Sequence, residues 1–356
     1  MTLAERLETL LQRHWWAPEP TLLARALWPL SRLYMLLAAA QRRRLVRRAP
    51  KTLPVPVLVV GNLVVGGAGK TPTVLALVQA LQAAGRRPGV LSRGHGRADR
   101  TVRAVTAGSS AHEVGDEPLL IQRRSGVPVW VGRDRMAAAR ALRRAHPEID
   151  LLVSDDGLQH LALPRAAELG VFDERGAGNG LMLPAGPLRE ALSSQPATGA
   201  RRWLLYTSGR TSTALPGTLA QRRLGLAWPL QAWWAGDASA AVPLLALRGK
   251  ALVAAAGLAA PQKFFAMLRD EQLDITALPL PDHFDYHELP WPDSTGDVIT
   301  TEKDAVKLQP GRVGTVRVWV VPLDLQLPAE LIHELLSALP VLRSRAPDPT
   351  AFVPTP

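Results

Sequence analysis

The run Gly66-Gly67-Ala68-Gly69-Lys70-Thr71 has the composition and spacing of a phosphate-holding loop. Glycines let the main chain wrap closely around anionic oxygens, with several N–H groups turned inward. Lys70 is placed to reach the β- and γ-phosphates of a nucleoside triphosphate, and the Thr71 hydroxyl to ligate Mg2+. The consensus wants a further glycine six positions before the lysine, where this chain has Val64, but the glycine nest itself is intact. Val64, Val65, Gly66, Gly67, Ala68, Gly69, Lys70 and Thr71 are the expected nucleotide-binding stretch. The alternative is a glycine-rich strand-to-helix turn without nucleotide. A second chemical signal is Asp155-Asp156, at the end of the apolar run 151–154. Downstream of a phosphate loop, such an acid pair has the form that positions Mg2+ directly or through water. Asp155 is the expected metal ligand and Asp156 a catalytic residue beside Lys70.

The elements around these residues agree with those roles. Residues 55–60 form a short, β-branched apolar run before the loop, and a helical pattern through Leu75, Val78 and Leu81 follows it. Apolar runs at 89–92, 128–132, 151–154, 170–172 and 203–206 alternate with helical stretches rich in alanine and arginine. That alternation predicts an α/β fold, a P-loop NTPase-like mainly parallel sheet. Residues 208–223 turn to Ser, Thr, Gly and Pro and read as a linker. Beyond it, strands at 251–255, 297–301 and 316–321 and helices at 261–269 and 329–339 predict a second, smaller α/β domain. The expected plan is therefore an N-terminal segment over 1–50, a core over 51–207, the linker, the smaller domain over 224–341 and a disordered tail over 342–356.

Composition narrows the classes. The chain has 356 residues and no cysteine, which removes disulfides, thiolate metal sites and a cysteine nucleophile. Its net charge of +11 is concentrated at the start, since residues 1–50 carry +6. A basic excess points to nucleic acid, an anionic membrane or a phosphorylated substrate. Arginines number 36 and lysines 6, so an isolated arginine says little while a lysine is informative. Fifteen of the twenty residues in 21–40 are apolar, interrupted by Arg25, Pro29 and Arg32. Arg25, Arg32 and Arg43 fall within about 20° of one another on a helical wheel. With Trp15, Trp16 and Trp28 at headgroup depth and Arg42, Arg43, Arg44, Arg47 and Arg48 beside them, this reads as an amphipathic helix lying on an anionic membrane rather than crossing it. Pro29 is expected to start a new helix within that segment. The alternative is a helix packed on the domain with its arginines solvated. The basic residues are not interleaved with base-stacking aromatics, so no nucleic-acid partner is expected. A membrane-recruited assembly ATPase uses a similar loop, but with a signature lysine where this chain has Val65.

Several segments then fall into one order: 61–72, Leu91-Ser92-Arg93-Gly94, Gly115-Asp116-Glu117-Pro118, 155–160, 183–190, Asp282-His283 and 301–307. In this series the chain resembles, over nearly its whole length, the tetraacyldisaccharide 4′-kinases of lipid A biosynthesis in Gram-negative bacteria. The resemblance implies transfer of the γ-phosphate of ATP, with Mg2+, to the 4′-hydroxyl of tetraacyldisaccharide 1-phosphate, giving lipid IVA. It implies a glycolipid substrate and a peripheral or monotopic place on the cytoplasmic face of the inner membrane. It makes Asp116 the base for the sugar hydroxyl, assisted by His283, and Glu117 a metal partner of Thr71 and Asp155. It places Ser92, Arg93, Gln159, His160, Arg189 and Glu190 at the substrate, and lets Lys303 and Lys307 neutralise phosphate. On residue type alone, Asp116 reads first as a helix cap and His283 as a surface or turn histidine, while the arginines and lysines read equally as surface ion pairs. His95 departs from the family, which more often has tyrosine there. A cleft between the two domains is expected to bring His283 to Asp116 only on closing.

Overall fold

The computed structural model describes residues 10–48, 53–97, 99–196 and 199–340; the tail expected over 342–356 and the first nine residues lie outside these. The apolar runs become strands, and the central ones, at 57–61, 88–92, 151–154 and 167–172, are buried on both faces, as a parallel sheet requires. They are β1 (Val57–Gly61), β2 (Pro88–Ser92), β3 (Arg103–Val105), β4 (Val129–Val131), β5 (Leu151–Ser154), β6 (Ala167–Phe172), β7 (Arg201–Tyr206) and β8 (Thr218–Leu219). They form one sheet in the order β3-β4-β2-β5-β1-β6-β7-β8, parallel except for β3 against β4. Helices α2 (Lys70–Ala83), α3 (Ala111–Val114), α4 (Asp116–Ser125) and α5 (Arg135–Ala145) connect them. The phosphate-loop strand β1 sits centrally, with the acid-tipped β5 on one side and β6 and β7 on the other. The carboxyl ends of these strands are where an α/β sheet binds ligand.

The second unit is a five-stranded sheet in the order β10-β14-β13-β11-β12, formed by β10 (Trp228–Pro229), β11 (Leu252–Ala256), β12 (Ile275–Pro279), β13 (Asp297–Thr301) and β14 (Arg317–Val321). It carries α6 (Leu230–Ala235), α7 (Pro261–Asp270) and α8 (Glu302–Ala305). The segment expected to be a linker is largely structured. β8 extends the first sheet, and β9 (Gln221–Leu224) pairs antiparallel with β15 (Leu323–Gln326). Chain returning from the second unit thus joins β9 in a two-stranded ribbon, and α9 (Ala329–Ala338) then packs back on α2. Trp203 of β7 donates its indole N–H to Glu334 of α9 at 2.7 Å. The smaller domain therefore ends near Val321 and not at 341, because Leu331, Leu335 and Leu339 bury into a core shared with α2. Arg124, near the end of α4, pairs with buried Glu302 of α8 and with Asp324 of β15, tying the units together.

At the N-terminus, α1 (Leu22–Arg48) is one helix of 27 residues that runs through Pro29. Pro29 and Arg25 are both exposed, so the carbonyl that the proline leaves without an amide donor can be solvated, and no new helix begins. By length and composition α1 is sufficient to cross a membrane. It docks on the core along Ala24, Ser31 and Tyr34, residues spaced one or two turns apart. Ser31 donates to the Met182 carbonyl at 2.7 Å, and Tyr34 to that of Arg189 at 3.1 Å. Trp28, Leu30, Leu33, Leu36 and Leu37 remain exposed on the other side. Trp15 and Trp16 do not join them: the Trp15 indole N–H binds the Pro184 carbonyl at 2.8 Å, and Arg175 lies over the Trp16 ring at 4.4 Å.

Candidate functional site

The loop between β1 and α2 has Gly66 and Gly69 at φ 87° and 85°, in the left-handed region that side chains avoid. Gly69 is the N-cap of α2 and makes no side-chain cap, so the first amides of the helix face the cleft. Asn62 closes the loop by donating to the Gly66 carbonyl at 2.8 Å, while its own oxygen receives Lys70 at 3.4 Å. Lys70 also lies 3.7 Å from Asp156. Val64 and Val65 do not line the cleft. Val64 is fully buried and bridged to Leu188, and the Val65 amide is already given to the Pro187 carbonyl at 2.9 Å. The Ala68 side chain is likewise buried, while Gly66, Gly67, Gly69, Lys70 and Thr71 line the cleft.

At the end of β5 the two acids part. Asp155 is 2% exposed, and its Oδ2 accepts from Ser92 at 3.0 Å. Its Oδ1 is buried with no hydrogen-bond partner. Burial, reinforced by Glu117 and Asp156 nearby, pushes the Asp155 carboxyl up to about 7. Asp156 adopts φ 46°, which swings its carboxylate out toward Lys70 and to Arg189 at 3.5 Å. Arg135, 3% exposed, donates to the Asp155 carbonyl at 3.4 Å, and burial lowers its pKa to about 10.

Across the cleft the first turn of α4 meets the second unit. The hydrogen bond between His283 Nδ1 and Asp116 Oδ2 is 2.8 Å long. Asp116 is the first residue of α4, and its other oxygen accepts the Glu117 amide at 2.9 Å. Burial works against its charge, but the His283 hydrogen bond, Lys303 and Lys307 outweigh it and hold the Asp116 carboxyl below the usual range. The Asp116 hydrogen bond in turn raises the His283 pKa. With Nδ1–H donated to the carboxylate, Nε2 is left facing the Lys303 ammonium at 3.4 Å. Lys303 also binds Asp282 at 2.9 Å and Glu117 at 3.6 Å; Lys307 lies 3.9 Å from Asp116. These lysines hold the acid–histidine pair, and Lys303 also lines the cavity. His283 and Asp156 are both held at positive φ, a strain of about 1–3 kcal/mol each that clusters at working sites.

The remaining expected residues collect on the α1 side. Gln159 donates to the Asn62 carbonyl at 3.2 Å and to Glu190 at 3.0 Å. Arg189 reaches Gln159 at 3.4 Å, and Glu190 also receives Arg42 and Ser194. Glu190 is thereby turned toward α1, whereas Arg93 and His160 face the cavity with Gln159 and Arg189. Burial, with Arg135 and Arg165 close by, lowers the His160 pKa to about 4. Loop, acids and His283, with Asp116 buried behind it, surround one cavity of about 920 Å³, which Tyr34 of α1 also lines. Sequence reasoning overlooked Asn62 and Arg135, the cavity-lining Arg222 and Lys263, and Arg175, whose guanidinium donates to the Gly67 carbonyl at 2.7 Å. The scarcity of lysine was a signal for Lys263, which binds buried Asp173 at 3.1 Å; the arginines had none in so arginine-rich a chain.

With the geometry in place, comparison with known proteins is direct. A family profile described as tetraacyldisaccharide-1-P 4′-kinase, LpxK, matches residues 23–340. A protein of Leptothrix cholodnii named tetraacyldisaccharide 4′-kinase is 54% identical, over 96% of this chain and 98% of its own. A protein of the same name from Methylibium petroleiphilum is 50% identical, over 95% and 96%. The crystal structure of the "apo" form of LpxK from Aquifex aeolicus in complex with ATP superposes with a TM-score of 0.72 at 27% identity, over 89% of this chain and 99% of that one.

Proposed function

The chain belongs to the tetraacyldisaccharide-1-P 4′-kinase family, and we propose that the cavity between its two sheets carries out that family's reaction with the residues assembled around it. The protein transfers the γ-phosphate of ATP to the 4′-hydroxyl of tetraacyldisaccharide 1-phosphate, in lipid A biosynthesis. In that step the sugar oxygen forms a bond to the γ-phosphorus, the bond from phosphorus to the β,γ-bridging oxygen breaks, and ADP leaves with its electron pair. Phosphoryl transfer asks the protein to align the hydroxyl, spread negative charge and accept one proton.

Asp116 takes the proton directly, with the His283 Nδ1–H holding its carboxylate in place, or else His283 takes it at Nε2 and the Asp116 carboxylate stabilises the resulting imidazolium. Lys70 and the glycine loop hold the β- and γ-phosphates. Mg2+ fits the residues present. The unpartnered Oδ1 of Asp155 is a buried acceptor in need of a cation, with the Thr71 hydroxyl and Glu117 carboxylate lining the same cavity. Among the described residues no three acidic or histidine side chains form a metal cage, as suits an ion that completes its shell with phosphate oxygens and water. Held there by Asp155, Thr71 and Glu117, Mg2+ would supply positive charge against the negative charge that develops on the transferred phosphoryl group. Ser92 orients Asp155, while Arg93, Gln159, His160 and Arg189 receive the acceptor sugar. The exposed apolar face of α1 and its trailing arginines set the cavity on an anionic membrane, at the cytoplasmic face of the inner membrane. Flotation with vesicles containing anionic lipid, but not with neutral ones, is the expected result; equal flotation with both would remove the electrostatic part.

The observation that carries the assignment is that His283, hydrogen-bonded to buried Asp116, lines one cavity with the phosphate loop. The test is label transfer from γ-labelled ATP to tetraacyldisaccharide 1-phosphate by detergent-solubilised protein. Asp116→Asn should slow transfer about 10²- to 10⁴-fold while ATP binding persists. Transfer by Asp116→Asn at the wild-type rate would overturn the role of Asp116.

A further inference from the structure

Several of the cations around the phosphate loop are neutralised by carboxylates. Lys70 faces Asp156, Arg175 faces Asp173, Lys263 faces Asp173 and Glu174, and Lys303 faces Asp282 and Glu117. Arg222 lines the same cavity and has no carboxylate partner among the described residues; its guanidinium is held by the Thr207 hydroxyl at 2.6 Å. That hydroxyl is itself pinned, since Thr207 is 2% exposed and its oxygen also contacts the carbonyls of Phe172 and Ala68. The guanidinium stands over the loop: a Cβ built on Gly69 would lie 3.5 Å from Arg222 Nη2. Arg222 comes from β9, outside the loop and outside both main sheets. An ordered, half-buried, unpaired guanidinium beside a glycine nest is a fork awaiting phosphate oxygens.

The sheet order says which phosphates. Asp155 and Asp156 end β5 on one side of β1, and Thr207 follows β7 on the other. The γ-phosphate must lie at the end nearest the acids and Asp116, where transfer occurs. A triphosphate laid across the loop from that end runs its β- and α-phosphates toward β6 and β7, and so beneath Arg222. We infer that Arg222 is a further nucleotide-binding residue, contacting the α- and β-phosphates of the bound nucleotide and leaving the γ-phosphate to Lys70. This rests on the kinase reading for the direction of the triphosphate, but its test needs no glycolipid and no turnover.

ATP and ADP are each titrated calorimetrically, with Mg2+, into detergent-solubilised full chain. Arg222→Met should weaken both about 10- to 100-fold, the worth of a lost charge-assisted fork, and by the same factor, because both nucleotides carry the α- and β-phosphates. Arg222→Lys, which keeps the charge and loses the fork, should fall between. Thr207→Val, which leaves Arg222 but removes its anchor, should weaken both in the same direction and less. In the transfer assay kcat at saturating ATP should stay within about threefold while the KM for ATP rises. Wild-type affinity for ADP in Arg222→Met, with a lowered melting temperature, would make the residue structural and overturn the inference. Loss of ATP affinity with ADP affinity intact would place the guanidinium on the γ-phosphate and overturn it equally. A protein that binds both nucleotides as expected but transfers no phosphate to glycolipid would leave Arg222 standing and remove the kinase reading instead.

Discussion

The 2.8 Å bond between Asp116 and His283 makes a quantitative demand on the two residues. Removing a positioned general base costs about 10²- to 10⁴-fold in rate. Asp116→Asn is the mildest such change: it keeps the shape of a side chain that is 5% exposed and keeps an oxygen to accept His283 Nδ1–H. His283→Ala removes a hydrogen bond to a charged group, worth about 1.5–3 kcal/mol, or about 13- to 150-fold. If the pair acts as one unit, histidine has little left to do once the carboxylate is gone. The double variant should then transfer phosphate no more than about threefold more slowly than Asp116→Asn alone. Independent roles would instead multiply, to about 10³- to 10⁶-fold. Initial rates of label transfer at saturating ATP and glycolipid decide between the two, with melting temperatures as a control, because Lys307 lies 3.9 Å from the lost charge. Multiplicative losses would refute the coupled pair and leave His283 a separate task, such as contact with the acceptor sugar.

Trp16→Ala should raise the KM for ATP severalfold with little change in kcat, because Arg175, which holds the Gly67 carbonyl, rests on that ring; Trp16→Phe should restore most of the loss. An unchanged KM would show that the stack does not steady the loop. Arg124→Ala should destabilise the fold by about 3–5 kcal/mol, since it strands the Glu302 carboxylate, 4% exposed, without its guanidinium. Burial already raises the Glu302 pKa, so the deficit should be smaller at pH 5 than at pH 8 as the carboxyl takes a proton; denaturant melts at the two pH values measure it. His160 has its pKa lowered to about 4 from an ordinary value near 6.5. Between those values the unfolded chain binds a proton that the folded chain refuses, so this residue makes stability fall as pH drops from about 6.5 toward 4. His160→Gln should flatten that part of the stability curve, and an unchanged slope would show that the histidine protonates in the folded state.

The elements were legible wherever a local pattern carries its own reason. Residues 151–154 had to be a buried strand, and they are β5; the glycine nest had to turn into a helix, and Gly69 caps α2. Asp116 and His283 are 167 positions apart, and no spacing rule could bring them together; the resemblance named them and the packing of α4 on the second unit makes the contact. Local pattern misled where tertiary pairing overrides it. Val65 lies in the loop by position, yet its amide is taken by Pro187. The polar stretch 208–223 looked like a tether, yet it supplies β8 and half of the ribbon that binds the two units. Trp15 and Trp16 had the chemistry of membrane anchors, but each found a nearer partner in the 175–187 loop. These partners put the N-terminal segment in contact with the catalytic machinery: Trp16 supports Arg175 at the phosphate loop, Tyr34 holds the Arg189 carbonyl, and Arg42 reaches Glu190. A helix that served only to tether the enzyme would need none of these bonds. Their presence means that displacing the N-terminal segment would disturb the nucleotide loop and the acceptor side together, so the segment helps to shape the cavity.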